Sequence, residues 1–332
     1  GLKKVEVATT NKLSLPILGN IKLIASKDQL QLIGTDLENY MTITINDVGV
    51  EIEGETVIKN IKDIIKSFKF MKESYTEIKV DNNDNITITN GSRNIKLLTD
   101  NVEEYPKGFE VGEIDNQYSY NTKTLHNRIK KVNFARMKGD IRPILEGIYF
   151  NESDIVALDG FRVALSNDPL LRINDSFIIA SGTVNILLKT LNNKVKNEIR
   201  ISNNKKYVMF EYDNVKIISR LLEGQYFNYK DIFPKEYKSV SLETKKIKED
   251  IEFLSIHTDR VIEMIFNDNR IEFKANNVNG IFNVEYNIKH GIEEHMGFDK
   301  KYMLDVLKTV DSEKIEMGIT RRINPIYIKE ND

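Results

Sequence analysis

The sequence predicts an α+β protein built from three like domains in a row, and three observations carry that expectation. One ordered set of motifs occurs three times, at intervals of roughly 115 to 130 residues, the signature of a supersecondary plan used repeatedly. Stretches with β-branched residues at period two are separated by Asn, Asp and Gly turns, as antiparallel strands are. Between them lie stretches whose apolar residues follow the helical period. Strand, helix, several strands, helix, several strands is an α+β order, with helices on one face of antiparallel sheets.

The elements follow in order. Ile21, Lys22 and Leu23, after Pro16-Ile17-Leu18-Gly19, are answered by Ile148, Tyr149 and Phe150 after Pro143-Ile144-Leu145-Glu146, and less closely by residues 261–266. Residues 32–38, ending Thr35-Asp36-Leu37-Glu38, align with 156–162, ending Asp159-Gly160-Phe161-Arg162, and with 273–277. Residues 77–80, 198–201 and 314–317 form a third set in the same order. Residues 42–45, 85–89, 207–210 and 215–218 alternate as strands do, with hairpin turns expected at 81–84 and 202–205. The boundaries expected are 1–113, 114–237 and 238–332. Repeats two and three begin with strand-like 117–120 and 239–243, whereas repeat one starts inside a helix at Gly1. Residues 95–99 and 215–220 find no counterpart after 326–329, so each end is expected to lack about one strand of the full plan.

Composition narrows the function classes. With 332 residues, 40% of them hydrophobic, the chain can build two or three domains with cores. There is no cysteine, hence no disulfide or thiolate chemistry, and the four histidines, His126, His257, His290 and His295, show no metal-ligand spacing. No apolar run approaches the roughly 18 residues of a membrane span and no signal peptide is read, so a soluble cytoplasmic protein is expected. Asn-x-Ser/Thr triplets at Asn85, Asn90, Asn151 and Asn174 then carry no weight.

The net charge of −2 hides an uneven distribution. In residues 59–72, Lys59, Lys62, Lys66 and Lys69 step by three and four opposite Ile61, Ile64, Ile65 and Phe68, which reads as an amphipathic helix with a lysine stripe. Residues 122–132 repeat this with Lys123, Arg128, Lys130 and Lys131 beside Leu125, Ile129 and Val132, and Arg136 and Lys138 follow. Lys189, Lys194 and Lys196, then Lys245, Lys246 and Lys248, then Lys300, Lys301 and Lys308 mark three further helices. Gathered on one side, such helices make a basic surface for phosphates without base reading. Aromatic interleaving is weak there, which favours duplex over single strands. Asp36 with Glu38, or Asp159 with Arg162, has the residue types of an acid–base pair, but the positions recur between repeats as structural turns do. With no phosphate loop, nucleophile elbow or metal cluster, neither catalysis nor a metal or cofactor is expected.

Leu15-Pro16-Ile17-Leu18-Gly19-Asn20, Gly34-Thr35-Asp36-Leu37-Glu38, Leu158-Asp159-Gly160-Phe161-Arg162-Val163-Ala164, Ser219-Arg220-Leu221-Leu222-Glu223-Gly224, residues 229–234 and residues 297–307 together resemble the motifs of the bacterial DNA sliding clamp, the beta subunit of DNA polymerase III. The resemblance runs over the whole chain in order. It implies three clamp domains per protomer, sheets outside and helices on the inner face, two protomers closing head to tail into a ring around duplex DNA, and a processivity function that tethers the replicative polymerase. It implies double-stranded DNA, the polymerase catalytic subunit, the clamp loader and a second copy as partners, and a non-catalytic role.

Carried over residue by residue, the resemblance puts a DNA contact at Lys12 and a partner-peptide pocket at Leu145, Leu158, Gly160, Phe161, Arg162, Val163, Phe227 and Ile232. It pairs Ile95 and Leu97 with Phe253 and Leu254 of the neighbouring protomer, with Arg93 and Lys96 near Glu293 and Glu294, so that a charge at Leu254 is expected to give monomers. The chain departs from the family at Gly139, Pro143 and Ile144, where polar and aromatic DNA contacts are usual, at Ser181 and Gly182, where an Arg-Lys pair is common, and at Phe227 and Asp231, where proline and arginine are usual. The lost basic positions motivate the alternative, a clamp-like paralogue that binds peptides as a scaffold and retains DNA poorly.

Overall fold

The computed structural model describes residues 1–10, 15–59, 61–81, 85–139, 142–191, 197–267 and 269–330. Repeat one contains α1 (Leu2–Val5), β1 (Ile21–Ser26), β2 (Gln29–Thr35), β3 (Asn39–Ile45), β4 (Gly54–Ile58), α2 (Ile61–Phe68), β5 (Glu77–Val80), β6 (Asn85–Asn90) and β7 (Arg93–Asp100). Repeat two contains β8 (Asn116–Asn121), α3 (Thr122–Val132), α4 (Pro143–Glu146), β9 (Ile148–Glu152), β10 (Asp154–Leu158), β11 (Val163–Asn167), β12 (Ile173–Ile179), α5 (Ser181–Thr190), β13 (Glu198–Asn203), β14 (Tyr207–Tyr212) and β15 (Val215–Arg220). Repeat three contains β16 (Lys238–Glu243), α6 (Thr244–Ile256), β17 (Val261–Asn267), β18 (Arg270–Asn277), β19 (Gly280–Tyr286), β20 (Glu294–Asp299), α7 (Lys300–Leu307), β21 (Lys314–Ile319) and β22 (Tyr327–Glu330). The three aligned motif sets fall on β1, β9 and β17, on β2, β10 and β18, and on β5, β13 and β21.

Two compact units form. One holds Gly1–Ile129, Lys138–Val156 and Leu165–Gln225; the other holds Lys130–Met137, Ala157–Ala164 and Tyr226–Asp332. In the first, an eleven-stranded sheet runs β5-β6-β7-β4-β1-β2-β3-β15-β14-β13-β8. Its two halves come from different repeats and are joined where β3 pairs antiparallel with β15, Met41 opposite Ile217 and Thr42 opposite Lys216. Strand alternation explains the layering: Ile21, Leu23, Met41, Ile43, Ile86, Ile88, Val208, Phe210, Val215 and Ile217 are all buried, while their chain neighbours turn to the other face. A separate sheet, β11-β10-β9-β12, buries Phe150 against Phe177, the rings stacked at 5.0 Å.

The second unit repeats the scheme. Sheets β16-β21-β22 and β19-β18-β17-β20 are covered by α6 and α7. Ile247, Ile251 and Leu254 of α6, three and four residues apart, form one apolar stripe. Met303 and Leu307 of α7 pack with them on Ile262, Met264, Phe266, Ile271, Phe273, Ile315 and Met317. The side chain of Asp299 accepts from the backbone N–H of Lys301 and so starts α7.

The helix expected over 59–72 is shorter. It spans Ile61–Phe68, so Lys59 and Lys69 lie outside it. Three residues of the next segment, Glu73, Tyr75 and Thr76, are instead tied to the side chain of Asn90, whose Nδ2 donates to the Glu73 and Tyr75 carbonyls at 3.0 and 2.7 Å and to Thr76 Oγ1 at 3.0 Å. The turn residues expected at 82–84 lie outside the described residues.

Candidate functional site

One turn recurs after the second strand of each repeat. Asp36 Oδ1 accepts from the backbone N–H groups of Glu38 and Asn39 at 3.1 and 2.7 Å, and Asp159 Oδ1 accepts from those of Phe161 and Arg162 at 3.0 Å each. Leu37 and Gly160 hold the same left-handed position, φ +74° and +86°. In the third repeat Asn277 Oδ1 accepts from the N–H of Asn279 at 2.8 Å. These Asp and Asn side chains close turns, their ordinary work there.

The fourth residue of the turn reaches further. Asn39 is fully buried; its Nδ2 donates to both Asp36 oxygens at 3.1 Å, and its Oδ1 accepts from Thr183 Oγ1 at 2.8 Å and Ser219 Oγ at 2.6 Å. Thr183 sits on α5 and Ser219 on β15, so this side chain ties repeat one to repeat two. Arg162, at the matching place, donates Nε to Asp159 at 2.9 Å, Nη1 to Asp305 of α7 at 2.8 Å and Nη2 to the carbonyl of Phe134 at 2.7 Å. Its guanidinium lies over Tyr302 at 4.4 Å and Phe134 at 5.2 Å. Planar and forked, a guanidinium suits this role, sandwiched between rings and donating to three separate acceptors, where an ammonium does not.

Of the expected peptide-pocket residues, Leu158, Gly160, Phe161, Arg162, Val163, Phe227 and Ile232 lie in the second unit and Leu145 in the first. Leu145 and Leu158 are buried core side chains. Phe161 is 76% exposed beside Tyr302, and Phe227 and Ile232 are about half exposed. Asp305, Tyr302 and Phe134, which hold Arg162, were not expected from sequence. The signal available was the buried stripe of α7, which leaves Tyr302 and Asp305 on its flank.

The basic residues divide. Lys62, Lys66, Lys69, Lys123, Lys130 and Lys138 are exposed or half-buried at the surface. Lys66 pairs with Asp63 at 3.0 Å and Lys59 with Asp100 at 2.5 Å, surface pairs worth little on their own. Arg136 Nε donates to Asn133 at 2.8 Å. Lys131 is paired with Glu330 and with Asp311. Arg128 corrects the expectation of a phosphate contact: it is 5% exposed, and its guanidinium donates to Ser166 Oγ at 3.2 Å, to Tyr120 Oη at 3.2 Å, to the Ser153 carbonyl at 2.6 Å and to the Ser166 carbonyl. It is a strut among β8, the turn between β9 and β10, β11 and α3, because a residue six positions past the start of α3 faces inward. Lys300 is likewise turned in, donating to the Ser255 and Thr258 carbonyls at 2.8 and 2.5 Å. Lys12, Lys194 and Lys196 lie outside the described residues.

For closure, Ile95 and Leu97 are half-buried on β7, and Phe253 is 45% exposed on α6. Phe253 meets His257 edge-on, and that ring stacks on Phe282 at 3.6 Å. Leu254 corrects the expectation: it is fully buried in the core of its own unit, one residue round the helix from Phe253. Among the described residues no group of acidic, His or Cys side chains is arranged to hold a metal ion, and no helix is long and apolar enough to cross a membrane. A cleft of about 310 Å³ is lined by Glu263, His295, Met296, Gly297 and Arg322, with His295 Nε2 and Glu263 3.1 Å apart.

Repeated α+β domains, seams tied by turn side chains, and basic helices define a class of protein that works by surfaces. Residues 1–108 match the N-terminal, 119–228 the central and 230–332 the C-terminal domain of the DNA polymerase III beta subunit. The chain belongs to that family, the beta sliding clamps, a non-catalytic subunit of the polymerase. A beta sliding clamp of Halalkalibacterium halodurans is 28% identical, covering 99% of this chain and 92% of that protein, and one of Staphylococcus aureus is 27% identical over 99% and 91%. In fold, the DNA polymerase III beta subunit of Thermotoga maritima superposes with a TM-score of 0.92 at 22% identity, covering 100% of this chain and 92% of that one. A Pseudomonas aeruginosa sliding clamp gives 0.91 at 20% identity over 100% and 92%.

Proposed function

We propose that this chain is a DNA sliding clamp and processivity factor, acting as a cytoplasmic homodimeric ring that encloses duplex DNA and holds the replicative polymerase on it. The observation that carries the reading is the ordered match of three clamp domains to residues 1–108, 119–228 and 230–332. The repeats run 1–113, 114–237 and 238–332. Enclosure is topological, so phosphate contacts need only be weak, and Lys12, Lys59, Lys62, Lys66, Lys69, Lys123, Lys130, Lys131, Arg136 and Lys138 are the candidates for them. Arg128 is withdrawn from that set.

The polymerase catalytic subunit and the clamp loader are proposed to bind by short apolar peptides. Gly160, Phe161, Val163, Phe227 and Ile232 would supply the binding surface, with Leu158 in the core of the same unit; Leu145, in the other unit, is a candidate by family likeness alone. Arg162 acts as a held framework for that surface, since Asp159, Asp305 and the Phe134 carbonyl engage three of its N–H donors. An extended peptide on an apolar surface with backbone partners is a common mode of recognition.

The test is processive synthesis on primed circular DNA with a clamp loader and a polymerase of a related bacterium. Long products that depend on this chain are expected. Peptide binding without retention on circles would overturn the reading and favour the scaffold.

A further inference from the structure

Among the described residues five aromatic side chains are exposed: Phe70, Tyr75, Phe161, Phe227 and Phe253. Phe161 and Phe227 belong to the proposed peptide surface and Phe253 to the closure face. Phe70 and Tyr75, 65% and 70% exposed, belong to neither, and they lie within six residues of each other just past the end of α2. Single exposed rings are ordinary on a protein surface. Here, however, the backbone that carries them is tied down. The N–H of Phe70 donates to the Ser67 carbonyl at 2.9 Å and that of Met71 to the Phe68 carbonyl at 3.3 Å, so the chain winds on past the helix. Asn90, buried at the end of β6, then accepts from the Glu73 N–H at 3.0 Å while its Nδ2 holds the Glu73 and Tyr75 carbonyls. Gly91 beside it has φ +59°, and a Cβ there would lie 2.8 Å from Glu73 Cγ, so the segment packs closely on that turn.

Charge accompanies the rings. Residues 59–76 hold five lysines, Lys59, Lys62, Lys66, Lys69 and Lys72, against two acids, Asp63 and Glu73. Lys69 and Lys72, on either side of Phe70, are both exposed. The rings therefore extend the lysine stripe of α2, already a candidate for phosphate contacts. Lysines for phosphates and rings for bases are the two parts of a single-strand site, because every base has a face that can stack. The lysines favour a polyanion over an apolar peptide.

We propose that residues 69–75 form a stacking platform for single-stranded nucleic acid, taking unpaired bases where they leave an enclosed duplex at a primer–template junction. The proposal rests on the clamp reading above, since a ring on duplex DNA is what brings such a junction to this segment. Bases inside a duplex are stacked on one another and offer no free face, so the platform distinguishes strand state and not sequence. Fixed before the strand arrives, the backbone beneath the rings loses little freedom on binding.

Fluorescence anisotropy of a labelled duplex with a 5′ single-stranded thymidine tail is compared with that of the same duplex without the tail, at one salt concentration, for the full chain and for Phe70→Ala combined with Tyr75→Ala. The unaltered chain should bind the tailed duplex at least about fivefold more tightly, the scale of one stacked base. The double variant should lose that preference, with its affinity for the blunt duplex and its thermal midpoint unchanged. Lys69→Ala with Lys72→Ala should flatten the salt dependence of tailed-duplex binding. A double variant that keeps the preference overturns the platform. Loss of the preference in Phe161→Ala instead places the strand on the peptide surface and overturns it too, as does a double variant that loses peptide binding but not tail binding. A chain that supports processive synthesis yet binds both duplexes equally overturns the platform alone; one that neither binds duplex nor supports synthesis overturns the clamp reading, and the platform with it.

Discussion

Replacing Arg162 with alanine tests whether the turn side chain holds the second unit together. The substitution strands Asp159 and Asp305, whose side chains are only 11% and 26% exposed, and leaves the Phe134 carbonyl short of a donor. Removing one partner of a buried ion pair costs roughly 3–5 kcal/mol. Water reaches Asp305 in part, so a cost near the bottom of that range, about 3 kcal/mol, is expected. At roughly 2–4 °C per kcal/mol for a body of this size, the thermal midpoint falls by about 6–12 °C. Circular dichroism on heating and a denaturant titration read it. Arg162→Lys recovers only part of the loss, since it keeps the charge but not the fork. A double variant with Asp305→Ala should be less unstable than the two single losses combined. A single variant within about 0.5 kcal/mol of wild type, or strict additivity in the double, refutes the reasoning.

Phe253→Asp should weaken self-association at unchanged stability, whereas Leu254→Asp should destabilise the fold by several kcal/mol because it places a charge in the core; equal effects on both readouts would contradict the burial assigned to each. Joint alanine substitution of Lys62, Lys66 and Lys69 should flatten the salt dependence of duplex binding by up to about 0.9 logarithmic units for each phosphate no longer neutralised, and Arg128→Ala should leave that slope alone while destabilising the fold; the reverse pattern in a salt titration sinks the division. Burial first, and then the hydrogen bond to Asp168, push the Tyr120 phenol up from 10.0 to about 12. Over that window the unfolded chain has released this proton and the folded chain has kept it, so stability falls as pH rises; Tyr120→Phe should shallow the fall, and an unchanged alkaline profile would count against it.

Much of the fold was legible in the sequence because the repeat and the periodicities are local. Residues 122–132 form the helix their spacing predicts, and the three aligned motif sets fall on equivalent strands. The recurrence of Asp36 and Asp159 marked them as turn residues, and the turns have matching hydrogen bonds. The helix expected over 59–72 ended early at Phe68, since Asn90 draws the following backbone into its own hydrogen bonds, a partner seventeen residues from Glu73 that no window on the helix contains.

Individual site residues were legible only in part. Charge pattern placed Arg128 with its basic neighbours, but a guanidinium is an equally good strut when carbonyls and hydroxyls from neighbouring strands converge on it. Leu254 and Phe253 are adjacent and alike in sequence, yet the helix turns one into the core and the other outward.

The sequence by itself determined the repeat, the antiparallel α+β class, the basic bias of the helices and, through its ordered motifs, the family, because each is written in neighbouring residues or in their recurrence. Only the tertiary structure decided which cations are turned inward and that Asn39 and Arg162 tie one repeat to the next. Those facts depend on partners more than a hundred residues away, such as Thr183, Ser219 and Asp305, and burial and hydrogen bonding are properties of the packed surroundings.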